Sequence, residues 1–125
     1  MRSVRGIRGA IKINANSRDA ILSGAKELVT AMTSANDIKL DEVAAAYFTV
    51  TADLDAEFPA LAARQLGWLE VPMLCAREID VLGSMKSVLR ILVLVNTEKS
   101  QSDIVHQFLG EAAGLRPDLH NGGGA

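Results

Sequence analysis

Arg90 stands where charge is costly. It lies inside Val88-Leu89-Arg90-Ile91-Leu92-Val93, with aliphatic neighbours on both sides along the chain. An unpaired buried guanidinium is strongly destabilising, so the position demands an anion. Two sources stay open at this point: a structural carboxylate such as Glu78 or Asp80, or a ligand anion matched to the planar, bidentate donors of arginine. Arg8 lies in Arg5-Gly6-Ile7-Arg8-Gly9-Ala10, where glycines beside an arginine allow close approach of a ligand or of a second backbone. Taken alone, that motif reads as a bulge or tight contact, Glu78 as a solvated carboxylate near a strand end, and Arg64 and Arg116 as solvated cations. No Ser-His-Asp, Cys-His or paired-carboxylate arrangement is evident. Cys75 has only Arg77 as a basic neighbour and reads as a buried, inert thiol. Met32, Met73 and Met85 read as core fillers.

The composition narrows the setting. A chain of 125 residues, 49% apolar and 22% charged, suits one globular domain and no disordered or collagen-like class. Aromatics are only 4%, so the core must be aliphatic. With a net charge of −2 and no run of Lys or Arg, nucleic acid is an unexpected partner. One cysteine and two histidines, His106 and His120, leave no basis for a disulfide framework or a metal cage. In the C-terminal half the longest uncharged apolar run is Ile91 to Val95, too short for a membrane span, and no apolar leader follows Met1. A cytoplasmic location is the expectation.

The elements that must position these charges follow from periodicity. Val4 to Ile13 alternates as a strand, with Ile7, Ile11 and Ile13 on one face and Gly6, Arg8 and Lys12 on the other. Ile21, Leu22, Ala25, Leu28, Val29 and Met32 form one helical stripe behind the candidate caps of Asn14 to Ser17. Val43 to Thr51 reads as a strand, and Phe58 to Leu66 as a short helix with Pro59 at its start and Gly67 beyond its end. Trp68 to Ala76 reads as a strand entered past Pro72, which favours an edge or a strand start. Ser87 to Val95, apolar on both faces, predicts a central strand or a subunit contact. Gln101 to Ala113 predicts a helix with Ile104, Val105, Phe108 and Leu109 on one stripe, followed by a loop and a Gly-rich tail. The result is an α+β domain: a mixed β-sheet with helices on one face, the other face free for self-association.

Several motifs taken together are more specific than any alone. The Arg5 to Ala10 motif is followed by Asp53-Leu54 with Phe58-Pro59-Ala60, then Val71-Pro72 before Cys75. Glu78 with Asp80, Arg90 in an aliphatic strand, and Leu115-Arg116-Pro117-Asp118-Leu119 complete the order. This pattern resembles the monofunctional AroH-class chorismate mutase family from about Val4 to Leu119. The resemblance implies a single domain over 1–119 with a flexible tail over 120–125. It also implies a homotrimer whose sheets form a pseudo-α/β-barrel, as in chorismate mutase- and deaminase-like folds, with active sites between subunits. The implied reaction converts chorismate to prephenate, in the shikimate pathway to Phe and Tyr. It is an intramolecular Claisen rearrangement with no cofactor, no metal and no covalent intermediate.

By the same resemblance, Arg90 would donate to the ether oxygen and a carboxylate, Glu78 would accept from the ring hydroxyl, and Arg8 would bind a carboxylate. Leu74 and Cys75 would line the pocket, and Phe58 and Ala60 would wall it. Arg64 and Arg116 would gather the dianion at the mouth, with Phe108 and Leu115 nearby. Three positions depart from the family pattern: Leu61 stands where a Lys is frequent, Phe108 where a Tyr is frequent in a C-terminal helix, and Leu74 replaces a more polar residue. They bear on affinity more than on chemistry. Two other readings compete: a non-catalytic trimeric module for small carboxylates, favoured by the losses at 61 and 108, and an enamine/imine deaminase-type enzyme of similar architecture.

Overall fold

The computed structural model describes residues 1–115. Five strands form one mixed sheet in the order β3-β2-β4-β1-β5. They are β1 (Ser3–Lys12), β2 (Val43–Val50), β3 (Met73–Arg77), β4 (Val88–Thr97) and β5 (Gln107–Leu109). β4 is the central strand, antiparallel to both β1 and β2. The outer strands add in parallel, β3 on β2 and β5 on β1.

Helix α1 (Arg18–Asn36) begins where Ser17 Oγ accepts from the Ala20 N–H at 3.1 Å and ends at Asp37 in the left-handed region. Its apolar stripe, Ile21 to Met32, is buried against one face of the sheet together with Ile7, Ile11, Leu89, Ile91 and Val93. Two glycines set the separation. A Cβ on Gly9 of β1 would collide with the Met32 sulfur, and one on Gly24 of α1 would collide with Ile13. Each element thus offers a notch to the other's side chain, and α1 lies close on β1.

Helix α2 (Ala60–Gln65) starts one residue after Pro59 and closes in a Schellman motif. Gly67 (φ +100°) and Trp68 donate back to the carbonyls of Arg64 and Ala63, each at 3.0 Å. This corrects the strand expected from Trp68. The Trp68 backbone is committed to the helix cap and its side chain is buried in the core, so β3 begins only at Met73, after Pro72. β3 is an edge strand, as that proline suggested.

The helix expected over Gln101 to Ala113 is also absent. A 3-10 turn (Gln101–Asp103), the short strand β5 and a second 3-10 turn (Gly110–Gly114) occupy it. Ile104 joins the large core while Phe108 packs with Ala10, Val88 and Ala112 in a separate cluster, so the stripe is divided between two cores. The open edge of β1 supplies ladder partners, which override helical spacing. The described residues thus contain one long α-helix and one short one, both on the same face. Among the described residues, no helix is long and apolar enough to cross a membrane.

Candidate active site

The alternation of β4 decides which residues reach the uncovered face. Leu89, Ile91 and Val93 point toward the helices and are buried. Arg90, Leu92 and Leu94 take the other side, and Leu92 remains 37% exposed. Register places Arg90 between Ala10 of β1 and Thr49 of β2. A cavity of about 340 Å³ opens there, lined by side chains of Arg8, Tyr47, Thr49, Glu78, Arg90 and Phe108. Arg8, Glu78 and Arg90, far apart in sequence, meet in it.

Glu78 follows β3 directly, and its N–H donates to the Val50 carbonyl at 2.9 Å. That bond turns the carboxylate over the sheet. Thr49 Oγ1 donates to Glu78 Oε2, and Arg90 Nε lies 3.7 Å from the same oxygen. The pair is half-buried, and 3.7 Å is an ion-pair separation too long for a hydrogen bond. Arg90 Nε is buried and has no hydrogen-bond partner among the described residues. Glu78 is therefore no mere solvated carboxylate, and it neutralises Arg90 without saturating it. Such an orphaned donor is expensive unless an acceptor is supplied.

Arg8 rests on Phe108, its guanidinium carbon 5.9 Å from the ring centroid. The Phe108 ring is 1% exposed and serves as a shelf for the cation on β5, not on a helix as expected. Leu115 is half-buried against the Phe108 cluster beside the cavity and does not line it. Arg116 lies outside the described residues, as does the tail over 120–125.

The remaining expected residues gather elsewhere. Phe58 and Cys75 line a second cavity of about 350 Å³, with Leu54, Pro59, Ala76 and Arg77. Phe58 is 71% exposed. Its loop is tied to the start of α1: Asn16 Oδ1 accepts from the Asp55 and Ala56 N–H groups, and Arg18 pairs with Glu57 at 3.0 Å. Cys75 is exposed, which corrects the buried thiol expected from sequence: it stands on the edge strand, where no further strand covers it. Partial desolvation still raises its pKa, against a backbone hydrogen bond with Ala60, which disfavours the thiolate. Leu74 is exposed on the open face, Arg64 is exposed on α2, and Ala60 and Leu61 lean on the core. Arg77 and Glu78 are consecutive yet line different cavities.

Sequence reasoning missed Tyr47 and Thr49. Their signal was the alternation of β2, which sets both on the face opposite Ala46 and Phe48. The site offers two guanidinium groups, one carboxylate and two hydroxyls, those of Tyr47 and Thr49, on one sheet. It can bind a compact dianion and stabilise charge that moves within it. Among the described residues that line the cavity there is no serine, cysteine or lysine to act as a nucleophile.

A mixed five-stranded sheet with both helices on one face and a charged cavity on the other defines the class of the domain, a small α+β fold built on one sheet. The structure is similar to that of a chorismate mutase from Clostridium thermocellum, with a TM-score of 0.86 and 40% identity, covering 87% of this chain and 97% of that one. The sequence is 49% identical over 119 residues to chorismate mutase AroH of Thermus thermophilus, covering 94% of this chain and 98% of the relative. It is 38% identical over 117 residues to chorismate mutase AroH of Bacillus subtilis (strain 168), covering 93% and 92%. The family model for chorismate mutase type I matches residues 4–119. The chain belongs to the type I, AroH-class chorismate mutase family.

Proposed function

We propose that this chain converts chorismate to prephenate by holding the substrate in a folded conformer and stabilising the charge that separates as the ether bond breaks. The observation that carries this reading is the buried, hydrogen-bond-free Nε of Arg90 beside Glu78. Chorismate has two carboxylates, a ring hydroxyl and an ether bridge. In the transition state negative charge gathers on the ether oxygen and positive charge on the ring. Arg90 donates to that oxygen and Glu78 accepts from the ring hydroxyl on the positive side. Arg8 takes a carboxylate. Fixed charges need no reorganisation as the reaction proceeds, so they lower the barrier more than solvent does. Holding the chair-like conformer contributes the rest. The reaction is unimolecular in one substrate, so it requires no nucleophile.

The active unit is a homotrimer with each site shared by two subunits. The uncovered sheet face exposes Val4, Tyr47, Leu74 and Leu92, an apolar surface suited to a second copy. The Phe58–Cys75 cavity then supplies the apolar wall to the Arg90 cavity of a neighbouring subunit, with Arg64 at the mouth. This division accounts for Arg77 and Glu78 serving different cavities. Residues 1–119 form the single catalytic domain, acting in the cytoplasm.

The test is direct. Purified protein mixed with chorismate should deplete the diene absorbance in a saturable way and yield prephenate, and light scattering should give three times the chain mass. A folded protein without turnover overturns the catalytic reading, and an active monomer overturns the shared site.

A further inference from the structure

Asn36 is the one polar residue fully buried among the described residues, 4% exposed at the last turn of α1. Its side chain is occupied in an unusual way. Nδ2 donates to the Val105 carbonyl at 2.8 Å and Oδ1 accepts from the Val105 N–H at 2.8 Å, so the amide pairs with that peptide as an adjacent strand would. Nδ2 also donates to Met32 O at 2.9 Å, which fixes the amide to its own helix. Val105 leads directly into the site. The next residue, His106, accepts the Arg8 backbone N–H on Nδ1 at 3.0 Å. Two residues beyond His106 is Phe108, the shelf beneath the Arg8 guanidinium. β5 itself has only three residues and one ladder, against Gly9 to Ile11 of β1. A strand that short is weakly held by its own hydrogen bonds.

We propose that Asn36 is a positioning residue for substrate binding: through Val105 and β5 it holds Phe108 and His106 against β1, and so fixes the Arg8 guanidinium in the cavity. The proposal rests on the reading that Arg8 binds a substrate carboxylate. Asn36 lies under the sheet edge and touches no part of the cavity, so its effect reaches chorismate only through Arg8. A loosened β5 leaves Arg90 and Glu78 undisturbed, because both are held by β2, β3 and β4.

Steady-state turnover of chorismate by Asn36→Ala, Arg8→Ala and the double variant tests this. Asn36→Ala should raise KM about tenfold, the scale of losing the two hydrogen bonds to Val105, with kcat close to the parent's. In the Arg8→Ala background the same substitution should leave KM where Arg8→Ala alone puts it. A purely structural role would lower thermal stability and the active fraction without moving KM, and that result overturns the proposal. So does a KM effect that persists in full without Arg8. If Arg8→Ala itself changes neither KM nor kcat, the Arg8 reading fails and the proposal fails with it. If Arg8→Ala raises KM sharply while Asn36→Ala does not, the Arg8 reading stands and only the role of Asn36 is lost. Asn36→Asp, which keeps an acceptor for the Val105 N–H and drops both donors, replaces Asn36→Ala if that variant does not fold. Failure of both to fold would make Asn36 a requirement of the fold as a whole and overturn the positioning role.

Discussion

Leu89 and Arg90 are adjacent on β4, one peptide and one sheet face apart. Leu89 is 0% exposed, packed among Ile11, Val50 and the α1 stripe. Arg90 is half-buried, with a loose ionic contact to Glu78 and a buried donor that has no hydrogen-bond partner among the described residues. The helix-side face is satisfied within a single chain, with most of its apolar groups removed from water. The other face is not: it retains exposed aliphatic groups around a charged cavity and an orphaned N–H. Stability resides where the interactions are complete, and chemistry where they are incomplete.

The contrast can be broken at either residue. Arg90→Ala should leave a folded protein whose turnover falls by roughly two to three orders of magnitude, the usual effect of losing one donor to developing charge. Near-parental turnover with unchanged circular dichroism would remove Arg90 from its assigned role. Leu89→Ala should do the reverse. It should lose about 2–5 kcal/mol in urea unfolding through the cavity it leaves, while the protein that remains folded turns over chorismate at close to the parental rate.

Two smaller effects sharpen the comparison. Leu61→Lys puts a cation on α2, outside the Arg90 cavity, at a residue that now leans on the core; with α2 at the mouth of the proposed shared site, it should lower KM by a few-fold with little change in kcat. A change in kcat alone would contradict the distinction between gathering the dianion and stabilising its transition state. The smallest effect belongs to Asp53, whose carboxyl is held down to about 2 from an ordinary 3.8, first by a hydrogen bond from Thr51 and then by Ser87. Ser87 Oγ donates to it at 2.7 Å, and Ser87 stands at φ +58° just before β4. Since the folded state binds this proton more weakly than the unfolded state, the contribution is complete above about pH 4 and fades as pH falls toward about 2. Asp53→Asn should therefore lower Tm slightly near neutral pH, and the difference from the parent should close in acid. A gap that stays constant across that range would show that the charge contributes nothing.

Legibility in the sequence followed the same division. The alternation of β1 and β4 and the stripe of α1 were readable because each obeys one period and faces one core. The Gln101 to Ala113 segment was not, because its apolar residues serve two cores and its backbone is claimed by Asn36 and the edge of β1. Asn36 lies 69 positions away and the β1 partners 98, so neither leaves a local trace. Trp68 misled for a similar reason, since a β-forming residue was spent on capping α2. At the site, Arg8, Glu78 and Arg90 were identified from motif order. Their convergence, and the presence of Tyr47 and Thr49 among them, depended on register. The exposure of Cys75 was missed because the thiol was read from its one basic neighbour, although Pro72 already pointed to an edge strand.

The notches at Gly9 and Gly24 govern how this protein can change. With no side chain separating β1 from α1 at Gly9, a methyl group added there has to be accommodated by displacing Met32 and Leu28 or by lifting the strand that carries Arg8. Mutational tolerance of the catalytic cleft is thus limited from the reverse side of the sheet. A library randomised on the hidden contact between α1 and β1 and sorted for activity should retain glycine at position 9, and compensating changes should fall at Met32 and Leu28, with none needed among the charged residues of the cleft.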